Sequence, residues 1–94
     1  MSLPNTTMSQ SEVRGMRFTE VTFYSTKIMQ WDDSNLTLNS GGHRTPTTKS
    51  RMNKFLSEFH LGGYKVIQKD FEWYVELDNY GRTMPFTDGM SLKI

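Results

Sequence analysis

The sequence predicts an α+β fold: a small antiparallel β-sheet with a single α-helix, about residues 46–60, packed on one face, in the order ββ(β)-α-ββ(β). Three observations carry this. Runs rich in β-branched and aromatic residues lie on both sides of the chain's midpoint. One segment between them has helical periodicity. Turn-forming clusters separate the runs at short intervals.

Taken in order, residues 1–15, "MSLPNTTMSQSEVRG", are polar and aperiodic. They read as a flexible arm that buries too little surface to offset its ordering entropy. Residues 16–94 then form one domain. "RFTEVTFY" has strand composition, with Val21 and Phe23 on one face. "KIMQW" (27–31) and "LTLNS" (36–40) flank Asp32-Asp33-Ser34-Asn35, a cluster of turn formers that reads as a hairpin. The helix follows. Thr45 suits the N-cap, Pro46 the first helical position, and Gly62-Gly63 the stop. Between them Met52, Phe55, Leu56 and Phe59 fall at i, i+3, i+4 and i+7 and define a buried face. In "YKVIQKDFEWYVEL", Phe71, Trp73, Val75 and Leu77 alternate with Glu72, Tyr74 and Glu76, which assigns the first four to the core. "DNYGR" (78–82) and Asp88-Gly89 are turns, Pro85 confines "MPF" to a sheet edge, and Met90, Leu92 and Ile94 alternate to the end.

The 94 residues carry a net charge of +1 and no cysteine. Aromatics make up 13% of the chain, enough for a small core; a large enclosed substrate cavity is not expected. Near-neutral charge means that any electrostatic recognition is local. The absence of cysteine excludes thiol chemistry and zinc–thiolate sites and favours a reducing compartment. No apolar run reaches the length of a membrane span, and residues 1–15 lack the apolar centre of a signal peptide.

The one stretch with a chemical flavour is "LNSGGHRTPTTKSRMNKF", residues 38–55, which holds Arg44, Lys49, Arg51 and Lys54 and no acid. It misses the phosphate-binding loop pattern, whose glycines would stand where this chain has His43 and Thr48, and Pro46 removes a backbone donor. Anion contact at a helix start remains open, because free N–H groups and the helix dipole favour negative charge there. The candidate contacts are Arg44, Thr47, Lys49, Ser50, Arg51 and Lys54, against the plainer reading of a capped and solvated helix entrance. Tyr74, between two glutamates, reads as an exposed aromatic, and Trp31 at a hairpin end stands open between core, rim and contact. His43 and His60 lack ligand spacing, so no metal is expected. No cofactor motif and no catalytic constellation is present, and the chain reads as a non-enzyme.

From about Val21 onward the sequence resembles a set of small proteins encoded by tailed bacteriophages and environmental viral genomes. The residues that carry the resemblance are "LTLNSGGHRTPTTKSRMNKF", "GGYKVIQKDFEWYVEL" and "PFTDGM". It implies a viral origin and the bacterial host cytoplasm as workplace. It brings no activity, so no functional residue is transferred. Two functions stand open: an accessory protein that binds and modulates a host component, in host takeover or anti-defence, or a nucleic-acid-binding protein that meets phosphates through residues 42–54.

Overall fold

Eight strands and one helix build the described residues, 4–78 and 80–94 of the computed structural model. Four strands precede the helix: β1 (Thr6–Val13), β2 (Met16–Phe23), β3 (Thr26–Trp31) and β4 (Asn35–Leu38). Helix α1 (Pro46–Glu58) follows, then β5 (Lys65–Lys69), β6 (Glu72–Glu76), β7 (Thr83–Pro85) and β8 (Met90–Lys93). The α+β class is as the sequence implies. The strands form two antiparallel sheets, however, ordered β1-β2-β3-β4-β8 and β5-β6-β7, where one sheet was expected. The chain correspondingly divides into two compact units, one built from residues up to Gly42 with Asp88–Ile94, the other from His43–Thr87.

The stretch read as a flexible arm contains β1, which pairs with β2 along its whole length, Thr6 against Phe23 through Val13 against Met16. The turn at Arg14 and Gly15 has positive φ at both residues, 53° and 80°, the two-residue hairpin geometry that matches strand twist. Local composition hides this strand because its side chains are nearly all exposed; backbone pairing, rather than burial, defines it. Residues 1–3 of the expected arm lie outside the described residues.

Register places one apolar row across all five strands of the larger sheet: Met8, Val21, Met29, Leu38 and Met90. A second row on the same face runs through Trp31, Leu36 and Leu92. The residues between them, Glu20, Gln30, Thr37 and Ser91, face the other side. A bulge in β3, with Ile28 as the extra residue, shifts the register between Val21 and Thr22. Of the alternatives open for Trp31 the structure takes the core, where it is buried; Tyr74, read as exposed, is half-buried. Asp32 closes the β3–β4 turn by accepting the Ser34 and Asn35 N–H groups, each at 2.8 Å.

In the second unit, Thr45 caps α1 by accepting the Thr48 N–H at 3.2 Å, and Pro46 opens the helix, as expected. Met52, Phe55 and Leu56 are buried; Phe59 is 42% exposed, contrary to its assignment to the core face. The reason is that the helix stops earlier than Gly62-Gly63. His60 takes the left-handed conformation (φ 52°) and donates its N–H to Ser57 O, while Leu61 N–H reaches Leu56 O at 3.0 Å. This is the Schellman pattern of helix termination, and Leu56 and Leu61, the pair that closes it, are both buried.

Asn53 ties the helix to the small sheet. Asn53 Nδ2 donates to Val66 O at 2.8 Å, and Val66 N–H donates to Asn53 Oδ1 at 2.7 Å. The amide thus pairs with the edge of β5 as another strand would. Behind it Val66, Val75 and Met84 form a row across β5, β6 and β7. Trp73 packs edge-on against Phe86, with ring centroids 5.2 Å apart.

Replacing Asn53 by Ala should destabilise the protein by about 2–3 kcal/mol, since it orphans a buried N–H and C=O as well as removing two bonds. Urea denaturation of N53A against the parent measures this. At the β3–β4 turn, the Ser34 and Asn35 N–H groups hold the Asp32 carboxyl below the usual carboxylate range. A depressed folded-state pKa contributes stability at pH above the ordinary carboxylate value and loses it as pH falls through the folded value. Asp32→Ala should therefore lower the melting temperature at pH 7, and the gap to the parent should close as the pH falls below about 4. Thermal melts across that range check it.

Candidate contact surface on the helix

Six residues were expected to act together: Arg44, Thr47, Lys49, Ser50, Arg51 and Lys54. The structure divides them. Thr47, Ser50, Arg51 and Lys54 recur at helical spacing and share one stripe of α1, roughly opposite the buried Met52 and Leu56. Lys49 lies about 160° around the axis from Arg51, on the other flank. Arg44 precedes the helix and is drawn onto Phe86. Its guanidinium sits 5.2 Å from the ring centroid, and Nη2 donates to Phe86 O at 3.4 Å. Held by cation–π attraction and a carbonyl, it is a brace for the Phe86–Trp73 pair.

The stripe is less positive than the sequence suggests. Glu58 falls on it one turn beyond Lys54, and Lys54 Nζ lies 4.0 Å from its carboxylate. No acid occupies the first turn, so the positive end of the helix dipole is unopposed there. Its donors are partly spoken for, however: Pro46 has none, and the Thr48 N–H serves Thr45.

The glycine pair has its own explanation. Gly41 and Gly42 have φ of 63° and 82°. A Cβ on Gly41 would lie 2.6 Å from Thr26 Cγ2, so only glycine fits. Their N–H groups donate to Asn39 Oδ1 at 3.1 Å and Ser40 Oγ at 3.2 Å. Ser40 is buried and donates both its N–H and its hydroxyl to Asp88 Oδ1, each at 2.7 Å. These are the bonds of a structural turn, not a cradle aimed at a ligand. The strings "NSGG" and "TDG", distant in sequence, meet here.

What the sequence reading missed is Phe71. Alternation placed it in the core with Trp73 and Val75; both of those are buried, but Phe71 is 94% exposed. The alternating pattern runs back one residue too far. Asp70 and Phe71 are the two central residues of the β5–β6 turn, with φ of 52° and 69°. Such a turn favours Asn-Gly or Asp-Gly; a phenylalanine there is a backbone outlier. The available signal was the bracketing of this dipeptide by Lys69 and Glu72, charged residues that close off the flanking Val66-Ile67 and Trp73-Tyr74-Val75. Tyr80 is similarly exposed, next to the Asp78 turn. Partial desolvation pushes the Asp78 carboxyl up, but the Tyr80 N–H and the Arg82 guanidinium outweigh it and the net shift is downward. Among the described residues, no group of three His, Asp or Glu side chains is placed to hold a metal ion, and His43 and His60 are both exposed.

A family model described as Kyanoviridae Gp96 protein matches residues 2–93. The chain belongs to that family. It is therefore a tailed-bacteriophage protein, as the resemblance implied, and the match extends through β1 as well as the later segments. Neither the curated proteins nor the solved structures contain a match.

Were the helix stripe of this Gp96-family protein to meet nucleic acid, Arg51 and Lys54 would be its two cations. The log–log salt slope on duplex DNA is then expected to be no steeper than about −1.8, against about −3.6 for all four basic residues. Lys49→Gln should leave binding unchanged, and the double change Arg51→Gln, Lys54→Gln should remove it. Fluorescence anisotropy at several salt concentrations gives both readouts.

Proposed function

We propose that this phage protein is a non-enzymatic accessory protein that binds and modulates a protein component of the host, acting in the host cytoplasm, with the β5–β6 hairpin tip as its contact element. Phe71 is the observation that carries this. A large apolar side chain at a hairpin tip is lost to the core, and its left-handed backbone costs on the order of 1 kcal/mol more than glycine would. Backbone outliers of this kind cluster at sites where the exposed group has a role, and aromatic side chains are the usual anchors of protein interfaces. Lys69, Asp70 and Glu72 beside it form a mixed-charge rim, which suits a protein surface better than a phosphate backbone. No helix among the described residues is long and apolar enough to cross a membrane.

The second reading is contact with nucleic acid through Thr47, Ser50, Arg51 and Lys54. The shared stripe favours it; the Lys54–Glu58 approach and the recruitment of Arg44 by Phe86 weigh against it.

Phe71→Gly separates the proposal from a purely structural role. The change creates Asp-Gly at the turn and is expected to stabilise the fold by about 0.5–1 kcal/mol. The same variant should fail to capture the host protein that the parent retains from nuclease-treated lysate. Equal capture by parent and variant would remove the hairpin from the contact, and capture abolished by nuclease alone would favour the nucleic-acid reading.

A further inference from the structure

The two sheets present four edge strands, and three of them are defended. β7 has three residues and ends in Pro85. β8 has four and carries Lys93. β5 is covered at Val66 by the Asn53 amide. Short length, lysine, proline and covering groups are the usual means by which an edge avoids pairing with another chain. The fourth edge, β1, has none of them at Met8, Gln10 or Glu12 among the described residues. It is eight residues long, regular in its pairing with β2, free of proline and lysine, and charged only at Glu12.

Hydrogen-bond geometry shows which groups β1 offers. Tyr24 N–H donates to Asn5 O at 2.8 Å, and Val13 lies opposite Met16 beside the two-residue turn. In an antiparallel ladder this directs the backbone groups of Ser9, Ser11 and Val13 toward β2, and those of Met8, Gln10 and Glu12 outward. We propose that these outward groups pair with a second copy of the same strand, joining two five-stranded sheets antiparallel across a two-fold axis.

A second copy fits this edge for two reasons, neither dependent on Phe71. A two-fold axis perpendicular to the sheet sets residues of equal parity opposite each other, as in any isologous contact. Centred on Ser9, it places Met8 against Gln10 and Thr7 against Ser11 of the other copy, and it keeps the two Glu12 carboxylates apart. The apolar row also becomes continuous. Val21, Met29 and Leu38 are buried, but the row ends at an exposed Met8. In the paired form, Met8 and its copy are diagonal neighbours on one face, within reach of long side chains.

The test uses the full chain. Sedimentation velocity should give the mass of two chains at high concentration and of one on dilution. Gln10→Pro removes an outward N–H and leaves the β1–β2 ladder intact. The variant should sediment as a single chain at every concentration with an unchanged far-UV circular dichroism spectrum. In the parent, raising the concentration should slow amide exchange at Met8 and Gln10 by roughly tenfold or more, while Ser9 and Ser11 exchange slowly throughout. A single-chain mass at all concentrations overturns the proposal. So does a two-chain mass with Met8 and Gln10 still exchanging fast, a readout that stands even if Gln10→Pro does not fold.

Discussion

Every N–H and C=O along a strand requires a partner, and a chain of 94 residues that divides its strands between two sheets has four edges at which to find one. Much of this protein is organised by how those edges are met. The Asn53 amide is the clearest case: it supplies to Val66 the donor and acceptor that a further strand would have supplied, and so joins helix to sheet in the second unit. Because Val66 is buried, water cannot substitute for the amide. The larger sheet uses the same economy at its β4–β8 end. There Ser40 and Asp88 lock together the turns that follow β4 and precede β8.

The same demand for local partners takes apart the basic segment. Arg44 is consumed by the Phe86 ring and carbonyl, Lys54 lies within reach of Glu58, and Lys49 points away from both. A run of cations in sequence becomes a field only if the fold brings the charges to one side without neutralising them. Here helical spacing retains Arg51 and Lys54 on one stripe and disperses the rest. The glycines that suggested a phosphate loop are there because of backbone sign and the proximity of Thr26.

Turn chemistry sets the backbone of two exposed aromatics, Tyr24 and Phe71. Six non-glycine residues among those described have positive φ: Asn5, Arg14, Tyr24, His60, Asp70 and Phe71. Asn and Asp tolerate this conformation, and His60 gains two helix-ending bonds from its own N–H and that of Leu61. Tyr24 packs its ring edge-on against Phe23 and donates its N–H to Asn5 O, yet it stands 70% exposed, and the Phe71 side chain is 94% exposed. A tight hairpin between strands that twist together demands the left-handed region regardless of what occupies it. That demand sets the backbone at the tip and favours glycine there, so it does not by itself call for an aromatic.

By itself the sequence determined the fold class, the family, the β3–β4 hairpin and the helix from its Thr45 cap through Met52, Phe55 and Leu56. The hairpin and the helix rest on interactions within a few residues: a hydroxyl reaching the next turn, Asp32 accepting two nearby N–H groups, side chains repeating at 3.6. Tertiary structure decided the rest. Whether the strands made one sheet or two depended on pairings such as Leu36 with Leu92, far apart in the chain and written in no local pattern. β1 was invisible because an exposed edge strand is made by backbone bonds and leaves no apolar alternation to read. Phe71 was misread because alternation has no marker for where a strand ends and a two-residue turn begins. And of the candidate contact residues, Arg44 was drawn away by Phe86, 42 residues further along the chain, while helical spacing and the nearby Glu58 sorted the rest.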